Sequence, residues 1–422
     1  MVTGLGVATP LGLDVETSWQ RALAGVPAVR KLNYPLAHNS PVQAVGDITK
    51  EDLRTIEAEF PQESRAEGES KTLFALWAAK RAIEDARALS LDGDRQRYGV
   101  SIASGLGINR LEDIDRWVGG DGKVDFRRFG REVSEVHRES LMRNNSHRTS
   151  ARIAGMFGFR GVTATVTAAC ASATMAIGLG FRSIRRGDSD VVLVGGADSM
   201  INPVGLVFFV LLGAASASSD DPARICRPFD RKRSGLVMGE GAAVAVLEEE
   251  SHAVRRGARI YAEVAGYGSS LDAYQVTAPE PQGRGAAASM KEALSDAELE
   301  PDQIDYINAH GTSTKLNDVA ETVAIKHVFG DQAYRLAISS SKPLIGHLLA
   351  ASGAPEFVFT VLSVQRDEIH PTVNLTNPDP RCDLDYVPNV GRSRKVGAAL
   401  SNSFGFGGQN ASIIVKKYHA EP

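Results

Sequence analysis

The chain has 422 residues, 43% hydrophobic and 23% charged, with a formal net charge of -4 and a pI near 6.2. That length suits two domains or one large duplicated fold with a sizeable core, and the charge balance lacks the basic footprint of a nucleic-acid binder while leaving acidic protein partners open. Cys170, Cys226 and Cys382 form no CxxC pair and no even framework, and the start, MVTGLGVATPLG, lacks a basic region followed by an apolar one. With no apolar run near the ~20 residues of a membrane span, the expectation is a cytoplasmic protein with free thiols.

Residues 33 to 70, with scattered Pro, Asn and Glu, read as a surface excursion. A helix is predicted over 71–89 (KTLFALWAAKRAIEDARAL), then a strand YGVSIASG that runs into the glycine-rich turn Gly105 to Gly107. Residues 119 to 150 carry many charges and few aliphatics, as a cap or flap would. Next comes the stretch around which the chain is organised. The alternating, β-branched run Val162 to Val166 predicts a strand, small residues from Ala171 to Arg186 a helix, and Val191 to Val194 a second strand.

Cys170 falls at that strand-to-helix junction, where free N–H groups and the helix dipole are expected to favour a thiolate and lower the cysteine pKa. Its small neighbours Ala168, Ala169, Ala171, Ser172 and Ala173 leave room for a thin substrate, as a nucleophile elbow requires. An inert core cysteine is the alternative. The run Val204 to Ala215 (VGLVFFVLLGAA) is read as a buried core segment in preference to the lining of an apolar pocket, and Ala217 to Ser234 as a polar loop.

The second half repeats the first. Its helix near Ala286 to Leu299 answers the one at 71–89. Its strand Gln303 to Ala309 with the turn His310-Gly311-Thr312-Ser313-Thr314 answers YGVSIASG with its glycines. RLAISSSKPLIGHLLAASGAPEFVFTVLSVQRDEIHP matches the Cys170 unit, and the strand beginning at Gly407 matches the one beginning at Gly239. Strands alternating with helices predict an α/β protein with mainly parallel sheets. His310 and His347 both occupy turns after alternating strands, where a structural or exposed histidine is the plainer reading. If the halves pack about a pseudo-two-fold, both meet Cys170 in one cleft. One Cys and two such widely separated His lack the ligand spacing of structural zinc sites, so no metal is expected.

Four motifs in register, TAACASA around Cys170, NAHGTST around His310, SSSKPLIGHLLAASG around His347 and SNSFGFGGQN from Ser401, resemble the condensing enzymes of fatty-acid synthesis. The nearest likeness is to the elongating, type II β-ketoacyl-acyl-carrier-protein synthases. VTGLGVATPLG and RPFDRKRSGLVMGEGAAVAVLE extend the match over nearly the whole chain. The resemblance implies a thiolase-like fold of two similar halves, 1–254 and 255–422, layered αβαβα. It implies acylation of Cys170 by acyl carrier protein, then decarboxylation of malonyl carrier protein and attack of the resulting carbanion on the thioester. His310 and His347 would stabilise the enolate. Lys342 would support the histidines, with Glu321 near it. Thr312 and Thr314 would bind the pantetheine arm. The N–H groups of Cys170 and Phe406 would form the oxyanion hole, and Phe406, Leu106 and Ile108 would gate and shape the acyl pocket. No cofactor beyond carrier-bound substrate is implied, and the implied assembly is a homodimer, or a heterodimer with a related ketosynthase subunit.

Departures from the family pattern are Gln409 for Thr, Val162 for Pro, Leu106 and Ile108 in a glycine-rich turn, and the polar flap Val133 to His147, with His147 at a customary Asn. They leave the acyl primer open, in a fatty-acid or a specialised lipid or polyketide pathway. Two other readings stay in view. A thiolase-type coenzyme-A acyltransferase would carry a second cysteine near the C-terminal glycine loop, and a non-catalytic chain-length subunit would lack the nucleophile.

Overall fold

The computed structural model describes residues 1–33, 40–87, 94–107, 115–135 and 145–419. Ile108, His137 and the end of the predicted 71–89 helix lie outside them. In the first half, strands β1 (Val2–Ala8), β2 (Tyr98–Ser104), β3 (Thr163–Val166), β4 (Val191–Asp198) and β5 (Gly241–Glu248) form one sheet in the order β3-β2-β4-β5-β1. In the second, β6 (Glu263–Leu271), β7 (Tyr306–Asn308), β8 (Ala337–Ser339), β9 (Ala398–Phe404) and β10 (Gln409–Lys416) form another in the order β8-β7-β9-β10-β6. Strand order and sense correspond one to one. In each sheet three neighbours are parallel, and the strand ending the half lies antiparallel between two others.

Helix α1 (Ser70–Asp85) covers the outer face of the first sheet and α4 (Arg284–Asp296) that of the second, while α2 (Ser172–Arg185) and α6 (Gly353–Arg366) lie between the sheets and touch both. The layering is αβαβα. A helix sandwiched this way is covered on all sides, and every residue from Gly353 to Val364 is buried. Glycines set the spacing between layers. A Cβ at Gly353 would come 2.2 Å from Thr174 Oγ1, so α6 meets the helix that follows Cys170 at van der Waals distance. At the outer faces Gly4 and Gly6 of β1 lie on α1, where a Cβ would stand 2.2 Å from Ala82 O and 2.0 Å from Ala78 O. Gly266 and Gly268 of β6 do the same on α4, at 2.4 Å from Ala293 O and 2.1 Å from Ser289 O.

Three sequence readings change. Residues 33–70 include two helices, Lys50–Glu59 and Pro61–Glu67, that bury Ile56 and Glu67. The stretch 217–234 is anchored, because Cys226, Phe229 and Arg233 are buried in it. The run at Val204 to Ala215 is a core segment on one side only. Its helix α3 (Pro203–Leu211) buries Leu206 and Phe209 and leaves Val207, Phe208 and Leu211 at 56%, 45% and 81% exposure, since only one side of it meets the domain. No described helix is long and apolar enough to cross a membrane.

Candidate active site

The turn between β3 and α2 is a strained elbow. Ala169 takes a φ of +46°, a left-handed conformation unusual for alanine. Ser172 staples it, its hydroxyl accepting from Ala168 N–H at 2.7 Å and donating to Ala169 O at 2.6 Å. Cys170 is thereby turned inward, 6% exposed, at the base of a cleft of about 390 Å³. The glycine loop joining β9 and β10 lies against this elbow. A Cβ at Gly405 would come 2.9 Å from Ala168 O and 3.1 Å from Cys170 N, so close approach demands glycine there. It lets the next amide, Phe406 N–H, donate to the Cys170 sulfur.

The expected low thiol pKa is not what this environment produces. Burial pushes Cys170 up to about 12, against the pull of the Lys342 charge and the Phe406 amide. Helix α2 begins only at Ser172, and the Ala171 and Ser172 amides are engaged by Ala168 O and Ala169 O. The dipole therefore acts through few free N–H groups, and desolvation outweighs it.

His310 follows β7, and Glu321 of α5 (Asn317–Phe329) fixes its backbone by accepting His310 N–H and Gly311 N–H, each at 2.8 Å. His347 follows the short helix Lys342–Ile345, with its N–H on Val237 O at 2.7 Å and its carbonyl accepting Gly239 N–H at 2.8 Å. The two rings stand 5.4 Å apart at 84°, and one nitrogen from each lies with Cys170 Sγ inside a 4.8 Å span. Thus the three side chains drawn from both halves do meet in one cleft.

Hydrogen bonds assign the tautomers. Leu349 N–H, which can only donate, points at His347 Nδ1 at 3.1 Å, and the Ser352 hydroxyl lies 2.7 Å from the same atom. Nδ1 is an acceptor and the proton sits on Nε2. That Nε2 is buried and, among the described residues, has no hydrogen-bond partner. His310 Nδ1 faces Lys342 Nζ at 3.4 Å, which likewise leaves the proton on Nε2. Burial first, then the Lys342 charge, hold both imidazoles well below the usual histidine pKa, so both are neutral donors at pH 7. A divalent cation on Cys170 and the two rings would face that same Lys342 charge, which makes this trio a poor metal cage.

Lys342 is 1% exposed, and its ammonium bonds the His310 carbonyl and Glu356 Oε1, the latter at 2.5 Å. Glu356 on α6 is thus the carboxyl paired with the lysine, burial pushing it up to about 7 against the pull of the Lys342 charge, while Glu321 serves the His310 backbone instead. Sequence reasoning passed over Glu356. A lone carboxylate in the apolar run GAPEFVF was its signal, because a charge buried in such a helix requires a partner. Thr312 and Thr314 line the cleft with hydroxyls 2.9 Å apart. Leu106 does not line it and is 53% exposed in the single chain. Ile108 is outside the described residues, and His147 is exposed ahead of the helix Arg148–Phe157.

Comparison with known proteins gives consistent matches. “Beta-ketoacyl synthase, N-terminal domain” matches residues 1–253, and “Beta-ketoacyl synthase, C-terminal domain” matches residues 261–376. A 3-oxoacyl-[acyl-carrier-protein] synthase 2 of Staphylococcus aureus (strain N315) is 36% identical over 100% of the chain and 98% of its own length. A ketosynthase solved with its type II PKS acyl-carrier protein and bound to a hexaketide superposes with a TM-score of 0.87 at 32% identity, over 99% of this chain and 98% of that one. The ishigamide ketosynthase/chain length factor superposes at 0.84, also at 32% identity and the same coverage.

Proposed function

The chain belongs to the β-ketoacyl synthase family, acyltransferases that elongate carrier-bound acyl chains by decarboxylative condensation, and from that premise we propose how its own residues divide the work. Cys170 attacks the thioester of an acyl carrier protein. A new S–C bond forms, the carrier's C–S bond breaks, and the thiol proton leaves with the released carrier thiol. Neither imidazole is placed to take that proton, since each Nε2 already bears one. The Cys170 and Phe406 amides hold the tetrahedral oxyanion.

Malonyl carrier protein then enters past Thr312 and Thr314, and its thioester carbonyl accepts Nε2–H from His310 and His347. The C–COO⁻ bond breaks, carbon dioxide departs, and the electron pair becomes an enolate on that oxygen. Its carbon attacks the Cys170 thioester, the new C–C bond forms, and the thiolate leaves with the charge that the carboxylate brought in and takes up a proton from solvent. The unpartnered Nε2–H of His347, buried beside the thiol, carries this reading, because a buried donor left unbonded costs roughly 1–3 kcal/mol unless a substrate acceptor fills it.

The thiolase alternative loses support because Cys226 and Cys382 do not line the cleft. Cys170 with its donor pair favours the active subunit over a chain-length partner. We propose acyl carrier protein as the substrate carrier and a second copy or a related ketosynthase subunit as the partner. The primer and the pathway are to be read from intact-mass analysis with a panel of acyl carrier proteins. Cys170→Ala should give no acyl adduct. His310→Ala and His347→Ala should still be acylated but lose condensation by ~10² or more. Loss of acylation in both folded histidine variants would replace this scheme with a Cys-His dyad.

A further inference from the structure

Leu349 is the feature that sets the state of His347. Its φ is +51°, a left-handed conformation that a leucine adopts only when its surroundings impose it. That conformation turns its N–H onto His347 Nδ1. The other group at Nδ1, the Ser352 hydroxyl, can donate or accept and so cannot choose a tautomer alone. What holds the strained residue lies one position further on. Ala350 N–H donates to Asp198 Oδ2 at 2.9 Å.

Asp198 ends β4, is 2% exposed, and comes from the opposite half of the molecule. Its other oxygen accepts Ser199 N–H at 2.8 Å, and it packs so tightly on Gly105 that a Cβ there would be 2.2 Å from Oδ1. Burial pushes its carboxyl up to about 6, with the Ala350 amide, the Lys71 charge and the Ser199 amide pulling down, so at neutral pH the bond to Ala350 is charge-assisted.

We propose that Asp198 is a positioning residue for the condensation: through Ala350 it holds Leu349 in its strained conformation, and so keeps the His347 proton on Nε2. This rests on the role given to His347 above. Asp198 touches no reacting atom, and its charge bears on Cys170 only by helping to raise the thiol pKa, so its loss should not impair acylation.

The test is Asp198→Ala and Asp198→Asn in protein labelled with ¹⁵N-histidine, the His347 signal being assigned by its loss in His347→Gln. Asp198→Ala should lose the fixed Nε2–H signature. Release of carbon dioxide from malonyl carrier protein should fall ~10²-fold in kcat with KM little changed, while acylation of Cys170 slows by no more than ~3-fold, since losing the Asp198 charge favours the thiolate. Asp198→Asn keeps one acceptor oxygen. Turned to Ala350 N–H, with its NH₂ left facing Ser199 N–H, it should retain the signature and stay within ~10-fold of the parent rate. Joint loss of the signature and of decarboxylation in that variant would mean that the oxygen has turned to Ser199, and would still support the anchor. A folded Asp198→Ala with the parent signature overturns the proposal. So does Asp198→Asn losing decarboxylation with the signature intact, and that variant decides alone if the alanine protein does not fold. If the unmodified enzyme releases no carbon dioxide, the reading of the site fails instead, and the tautomer signal still tests the anchor.

Discussion

At Cys170 two familiar effects oppose each other. A helix start favours a thiolate by about half a charge of local potential, while burial removes the hydration that an anion needs. With Cys170 6% exposed and the Ala171 and Ser172 amides engaged, burial wins and the resting group is a thiol. Lys342 is the main charge acting the other way. Iodoacetamide labelling of Cys170, followed by intact mass, should therefore climb steadily from pH 7 to beyond pH 9 with no plateau near neutrality. Lys342→Met paired with Glu356→Gln, which removes both buried charges together, should slow labelling at every pH. A plateau below about pH 8 would mean that the elbow lowers the thiol pKa after all.

Among the elements, the duplication is written most plainly in two edge strands. VTGLGVA and EVAGYGSSL each carry glycines two apart, which fall on one face of a strand, and in both halves that face lies directly on the outer helix. Gly6→Ala and Gly268→Ala would push a methyl group into backbone carbonyls at 2.0 Å and 2.1 Å. Each should destabilise by about 1–3 kcal/mol, the usual cost of overpacking, visible as a lower midpoint in thermal melts. A melt unchanged in both would show that strand and helix separate freely. The loop Gly405 to Gly408 uses the same freedom differently, bringing a hairpin backbone onto the nucleophile turn instead of a helix onto a sheet.

For the whole molecule, the joint between halves contains a titratable group outside the active site. His370 is buried among Trp19 of the first half, Phe359 of α6 and Tyr306 of β7, whose hydroxyl lies 3.3 Å from its Nε2. Burial lowers its pKa from 6.5 to about 4. Below pH 6.5 the unfolded chain binds this proton and the folded one does not, so stability is lost as pH falls from 6.5 towards 4. The contribution is on the order of 3 kcal/mol. Denaturant melts of His370→Gln should show a shallower fall across that window, and an identical slope would remove His370 as a source of acid sensitivity.

How much of this was legible beforehand follows from the range of the forces involved. Strand and helix periodicity, the order of the repeated units, and the Cys170, His310 and His347 turns depend on neighbours a few positions away, and all could be read along the chain. The exposure of α3, the Lys342–Glu356 pair and the thiol pKa could not. Each depends on which surface lies against which, and on how much water that contact removes. The apolar run at α3 reads like core until only one of its sides finds a neighbour. Lys342 has two nearby carboxylates in the sequence, Glu321 and Glu356, and only the crossing of α6 between the sheets chooses the second. A helix end beside a cysteine is visible in letters, but the hydration that the cysteine loses is a property of the closed cleft.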